Sequence, residues 1–414
     1  MAFSAHDKEV LRSLAVEYME YALLPVQKEK VALWKALNRG RMVRPMVTID
    51  QLPWNELNIN DELTLQVQDP FWRNYEEGLR KQIYKWKHFP VDMVLDPFLT
   101  IPLAIGSSSY GLDPDVDKLN HDKTSDVYSQ HFTALIKDMD DIQKIKDMEI
   151  SLDKAKSGQI MEEAKIIFDG VAPLRASHGL QFHIGVWDFL TQFMGIENIY
   201  IDLIDRPEFL HAAMRRITDA TIAGIKRANE LMIHDDNIST CHCSHIFTDE
   251  LLPKCGAGKG STSENCWAFG LAQLFTSVSP AVTEEFELPY VSEMARYFGA
   301  IYYGCCDRLD DRLDIIKKIP NVRKVSCSPW SNRENFAAAI GPDLVMSNKP
   351  SPAFLATETF DENVVREDIK RTCAAAKSNG VNLELIQKDI STVRYDPWRL
   401  TRWAKIAMEI VGSY

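Results

Sequence analysis

The 414-residue sequence has no apolar run approaching the roughly 18 residues of a membrane helix. Its start, Met1-Ala2-Phe3-Ser4-Ala5-His6-Asp7-Lys8-Glu9, lacks the charged-then-apolar plan of a signal peptide, which predicts a cytoplasmic protein with no membrane partner. Basic charge is also scarce: 47 Lys plus Arg against 59 Asp plus Glu leave a net charge of −12, which argues against a nucleic-acid binder, since tracking phosphates needs a basic face. The eight cysteines, Cys241, Cys243, Cys255, Cys266, Cys305, Cys306, Cys327 and Cys373, show no disulfide-scaffold spacing and read as free thiols, available as metal ligands. No repeat of fixed period and no low-complexity tract occurs. What remains is a chain with 45% hydrophobic and 26% charged residues, suited to bury a large core and to take a small-molecule or protein partner.

Up to about Asn38, Leu11, Leu14, Val16, Met19, Leu23 and Leu24 fall on helical spacing, so residues 1–40 read as a helical extension placed before one domain spanning 41–414. From Arg44 onward, short apolar runs ending in polar or Pro residues alternate with longer charged, helix-period segments, the texture of βα units. The predicted strands are Pro45–Ile49, Asp92–Leu95, Ala172–Ala176, a run ending near Cys266-Trp267, Ala300–Tyr303, Val322–Ser326, Asp343–Met346 and Asn382–Ile386. Eight such strands suit a closed (β/α)8 TIM barrel of the α/β class, with the active site where the strands end; an open doubly wound sheet fits the same runs. Tyr110–Thr124 and Lys254–Ser263 are expected to be mobile loops.

Gly256-Ala257-Gly258-Lys259-Gly260-Ser261 departs from a Walker loop because Gly, not Ser or Thr, follows the lysine. Cys241-His242-Cys243-Ser244-His245 offers metal-ligating types. On a strand, Cys241, Cys243 and His245 would face one side and His242 the other. Gly304-Cys305-Cys306-Asp307 has a more telling place, directly after an apolar strand and before a helix, where a thiolate could hold zinc with an open coordination position. Cys266 at another strand end and Asp389 past the last strand could join it. The expected metal ligands are therefore Cys266, Cys305, Cys306 and Asp389, with Asp147, Glu162 and His183 as a second set. Asp50, His178 and Gln273 are the candidate catalytic groups. Trp54, Trp267, Tyr303, Trp330 and Lys349 are the candidate substrate-binding ones, a mixture of rings and polar groups suited to a small aromatic molecule. For each tryptophan, core packing is the plain alternative.

Ser279-Pro280, Glu284-Glu285-Phe286 and Leu288-Pro289-Tyr290, followed by a strand into Gly304-Cys305-Cys306-Asp307, resemble the uroporphyrinogen decarboxylase superfamily, over roughly Arg44 to the C-terminus. The resemblance implies a (β/α)8 barrel and one of two activities, decarboxylation of a tetrapyrrole or methyl transfer to or from corrinoids. Asn38-Arg39-Gly40-Arg41-Met42-Val43-Arg44-Pro45-Met46 lacks the arginine motif with which the decarboxylase branch grips carboxylates. The methyltransferase branch often holds zinc with His-x-Cys and a later Cys; here Tyr303-Gly304-Cys305 and Lys388-Asp389 stand in those places. Val322–Trp330, Gly304-Cys305-Cys306-Asp307 and Lys388-Asp389-Ile390-Ser391-Thr392 look more like the corrinoid-linked demethylases of anaerobes that act on methoxylated compounds.

An inert methyl ether needs charge stabilised on its leaving oxygen, and a phenoxide, of parent pKa about 10, leaves far more readily than an alkoxide. The resemblance therefore implies a methoxylated, aromatic substrate, zinc assistance, and transfer of the methyl group to Co(I). With no Asp-x-His-x-x-Gly signature in the chain, the corrinoid (cobalamin) is expected on a separate corrinoid protein; a homodimer is a compatible assembly. The alternatives are a decarboxylase, which would need Arg39, Arg41, Arg44 or Arg175 in the cavity, and a non-catalytic binding barrel.

Overall fold

A computed structural model describes residues 3–119, 129–177, 180–234, 239–251 and 260–414. The chain opens with helix α1 (Ala5–Ala22), started by a reciprocal cap in which Ser4 Oγ accepts from the Asp7 amide and Asp7 returns the bond to the Ser4 amide. Helix α2 (Pro25–Asn38) follows, with Pro25 in its first turn. Helix α3 (Pro70–His88) starts at the Asp69 cap and packs against α1.

The architecture is α/β, built on a parallel six-stranded sheet: β1 (Met46–Ile49), β2 (Trp267–Gly270), β3 (Ala300–Tyr303), β4 (Val322–Cys327), β5 (Val345–Asn348) and β6 (Asn382–Gln387). The spatial order is β1-β6-β5-β4-β3-β2, so sequence neighbours pair from β2 to β6 and the first strand pairs the last. No strand-order reversal occurs within this sheet, which argues against the doubly wound alternative. Nearly every strand residue is buried, as expected where helices cover one face and side chains fill the other.

The sheet is curved. Lys324 Nζ on β4 donates to Glu384 Oε2 on β6 at 2.7 Å, and Tyr302 on β3 meets Ser347 on β5 at 2.7 Å. Each contact skips one strand, and such contacts are made across a concave interior. Among the described residues the ring is not closed by continuous pairing. Between β2 and β1 lie a separate parallel pair, Leu99–Pro102 with Leu174–Ser177, a short hairpin of Thr240–Cys241 with Ser244–His245, and a single bridge from His183 to Phe269.

Two strand expectations are corrected here. Asp92–Leu95 runs beside β1 without a ladder, held by Asp92 Oδ2 accepting from the Val47 amide at 2.9 Å and by the Arg44–Asp92 ion pair at 2.7 Å; the strand comes later, at Leu99. The run placed near Cys266-Trp267 begins there instead of ending there, so Cys266 sits at the entering end of β2. The loop expected at 110–124 contains the strand Asp115–Leu119, and Tyr110 is fully buried; residues 120–124 and most of 254–263 lie outside the described residues. Helix α2 covers the entering end of the sheet, where Trp34 and Leu37 pack with Met46 and Val345, the first residues of β1 and β5. The opposite end is left for the site. Among the described residues no helix is long and apolar enough to cross a membrane.

Candidate metal centre and cavity

At the leaving ends of β3 and β6 the chain turns sharply. Gly304 has φ +88°, and a Cβ there would lie 2.6 Å from Leu309 Cδ1, so only glycine lets the strand break into Cys305-Cys306. Asp389, past β6, has φ +55° without being glycine. These turns bring three donors together: Cys305 Sγ, Cys306 Sγ and an Asp389 carboxylate oxygen all lie within 4.8 Å of one another. Cys305 and Cys306 sulfurs are 3.4 Å apart, and Cys306 Sγ is 3.1 Å from Asp389 Oδ2.

The hairpin brings an imidazole beside Cys305, outside the three-donor cluster. Its two-residue turn places His242, at φ +53°, with Nε2 3.3 Å from Cys305 Sγ and its ring stacked on Phe269 at 4.1 Å. Lys388 completes the group, its ammonium 2.8 Å from Cys305 Sγ. The Cys305 thiol is held well below its ordinary value, first by the hydrogen bond from Cys306, then by His242 and the Lys388 charge, against the opposing effect of burial. Cys306 is correspondingly pushed up, because it keeps the proton it shares with Cys305. Softness and type suit this set, two sulfurs and a carboxylate with an imidazole beside them, to zinc.

The donors form part of the wall of a cavity of about 540 Å³, which Gln51, Gln181, Phe182, His183, Asp188, Phe269, Leu271 and Gln273 complete. Three of its non-glycine residues, Gln51, His242 and Asp389, adopt left-handed backbone, a conformation that persists only where surrounding structure enforces it. Burial raises the Asp188 carboxyl to about 7, so it holds a proton through much of the neutral range. Burial lowers the His183 imidazole to about 4, leaving that ring neutral, and its Nδ1 has no hydrogen-bond partner among the described residues.

Among solved structures, the chain is similar to a methyltransferase from Methanosarcina mazei, with a TM-score of 0.51 over 92% of this chain and 98% of that one. The two are 11% identical, so the likeness is one of fold. No family model matches the sequence, and no curated protein matches it.

Of the residues singled out in the sequence, Cys305, Cys306, Asp389, Gln273 and His183 share this one cavity. Cys266 does not join it; its Sγ lies 3.7 Å from Ser261 Oγ at the far end of β2. Asp147 and Glu162 are exposed and paired with Arg216 and Lys165. His178 lies outside the described residues. Asp50 faces a second cavity of about 460 Å³, beside Lys85 and Cys243, which shares a wall with the first through Asp50-Gln51 and His242-Cys243.

Trp54 packs edge-on against Tyr84, Trp267 is buried in the sheet, and Trp330 is 74% exposed; none lines either cavity. Tyr303 is buried and donates to Glu287 Oε1 at 3.1 Å, while Lys349 is buried against Tyr302 and Ser347. Both are sealed from the cavity by packing. Asp188 and the His242–Cys305 contact went unread in the sequence. Asp188 looks like an ordinary first-turn acid of the helix Val186–Met194, and the Cys241–His245 stretch reads as one strand until the turn at His242-Cys243 is seen.

Proposed function

We propose that this chain is a methyltransferase that removes the methyl group of a methoxylated, aromatic small molecule and passes it to the cobalt of a corrinoid carried by a separate protein, with zinc assisting. The observation that carries this reading is the Cys305–Cys306–Asp389 donor set at the strand ends, in a fold shared with a methyltransferase. We read the fold itself as a (β/α)8 barrel whose arc between β2 and β1 is irregular.

Cys305, Cys306 and Asp389, with His242 beside them, would hold the zinc. When bound, it supplies a Lewis acid toward the ether oxygen. The protein's own groups do the rest. Phe182, Phe269 and Leu271 offer apolar walls to a ring, and a volume of about 540 Å³ accommodates one substituted ring. Gln181 and Gln273 offer amides to its polar substituents. Asp188, protonated near neutrality, is a proton source for the phenolate oxygen as the methyl group departs.

Decarboxylation of a polyacid is the weaker reading, because no arginine lines either cavity: Arg39 pairs with Asp249, Arg44 with Asp92, and Arg175 lies over the Phe98 ring at 3.9 Å. Elemental analysis of anaerobically purified protein tests the proposal. About one zinc per chain, lost in Cys306→Ser and retained in Cys266→Ser, is expected. A metal-free wild type that still transfers methyl groups would overturn the zinc role.

A further inference from the structure

Lys388 lies directly after β6, and its side chain is 1% exposed. Its Nζ is 2.8 Å from Cys305 Sγ, 3.0 Å from His242 Nε2 and 3.2 Å from Asp389 Oδ2. Those three atoms come from three separate segments of the chain; Cys305 Sγ and the Asp389 carboxylate belong to the donor cluster and His242 stands beside it. The ammonium therefore stands inside the set. A buried ammonium requires negative and lone-pair partners, and here the Cys305 sulfur, the His242 imidazole and the Asp389 carboxylate provide them.

We infer, resting on the metal reading above, that Lys388 opposes zinc binding: zinc on Cys305 and Asp389 and an ammonium as close to both as Lys388 Nζ exclude each other. Two arguments lead there. A zinc ion bonds sulfur at about 2.3 Å and a carboxylate oxygen at about 2.0–2.2 Å, so an ion held by Cys305 and Asp389 would use the lone pairs that Nζ now faces. Moreover, a dication and an ammonium in one poorly solvated site repel strongly. Loading the centre thus means moving Lys388 off Cys305. Lys388 thus weakens zinc binding relative to the same ligands without it.

The test is zinc affinity, measured by competition with a chromophoric chelator on the full chain as wild type, Lys388→Met and Lys388→Arg. Lys388→Met should bind zinc about tenfold more tightly or better, the size of effect that residues around metal ligands exert, and Lys388→Arg should not. A second readout needs no variant: acetylation of Lys388, followed by peptide mass spectrometry, should be slow in the zinc-free wild type and several-fold faster once zinc is bound. Zinc bound equally well by wild type and a folded Lys388→Met, or Lys388 reactivity unchanged by zinc, overturns the inference while leaving the metal site standing. Absence of zinc binding in all three proteins overturns the metal reading and the inference together.

Discussion

Cys306 Sγ lies 3.1 Å from Asp389 Oδ2 although 83 residues separate them in the chain. The contact exists because β3 and β6 are both parallel strands of one curved sheet and release their chains at the same end. If it is half of a metal site, Cys306→Ser and Asp389→Asn should each lower zinc affinity by about tenfold or more, with little change in urea unfolding of the zinc-free protein. Equilibrium dialysis checks the first and a denaturation curve the second.

Asp188 supplies a pH dependence. Its carboxyl is raised to about 7 by burial, so the proton it offers is present below that pH and lost above it. Methyl transfer should fall as pH rises through 7. In Asp188→Asn that limb should vanish and the rate drop by about 10²- to 10⁴-fold. A pH–rate profile of both proteins decides.

His245 makes stability acid-sensitive. The Val94 amide donates to its Nε2 at 3.3 Å, so the proton must sit on Nδ1, which meets Ser239 O at 3.2 Å, and the ring is neutral. Burial lowers its pKa from 6.5 to about 4. Between those values the unfolded chain binds the proton and the folded chain does not, so stability is full above 6.5 and falls as pH drops toward 4. The loss is on the order of 3 kcal/mol for this residue. Unfolding free energies at pH 7 and 4.5 should differ less in His245→Gln than in wild type by that amount.

Within the curved interior, Lys324 and Glu384 form an ion pair with both side chains fully buried, shared with Ser244. Removing one partner strands a charge. Lys324→Met should destabilise by about 3–5 kcal/mol, and adding Glu384→Gln should recover a large part of it. A double-mutant cycle by chemical denaturation measures both.

Gly304→Ala should affect fold and site together. Its φ of +88° and the 2.6 Å approach to Leu309 mean that alanine would cost about 1–3 kcal/mol. It would also shift Cys305, so zinc affinity should fall along with the melting temperature.

Much of the fold was legible. Strands such as Ala300–Tyr303 are buried on both faces and read as unbroken apolar runs, and that strand was placed with its observed bounds. Asp92–Leu95 is as apolar as a strand, but one backbone bond, from the Asp92 amide to Val47 O, and the Asp92 carboxylate tie it to β1 in place of a ladder, and composition does not distinguish the two. Cys266 shows how a shift of about four residues in a strand's end moves a side chain from one end of a sheet to the other. Cys305, Cys306 and Asp389 were approachable because polar residues just past apolar runs have few structural reasons to be there. Asp188 and His242 were not, since their placement depends on a helix start and a hairpin turn that bring distant segments to one cavity.

The most direct test of the methyl-transfer claim is to incubate the zinc-loaded protein with a trideuteromethoxy-arene and Co(I) cobalamin under anaerobic conditions and follow the label by mass spectrometry. The expected result is labelled methylcobalamin together with the free phenol, formed by wild type and by Cys266→Ser but not by Cys306→Ser. Absence of label transfer across a panel of methoxyarenes by fully zinc-loaded, folded protein would contradict the claim.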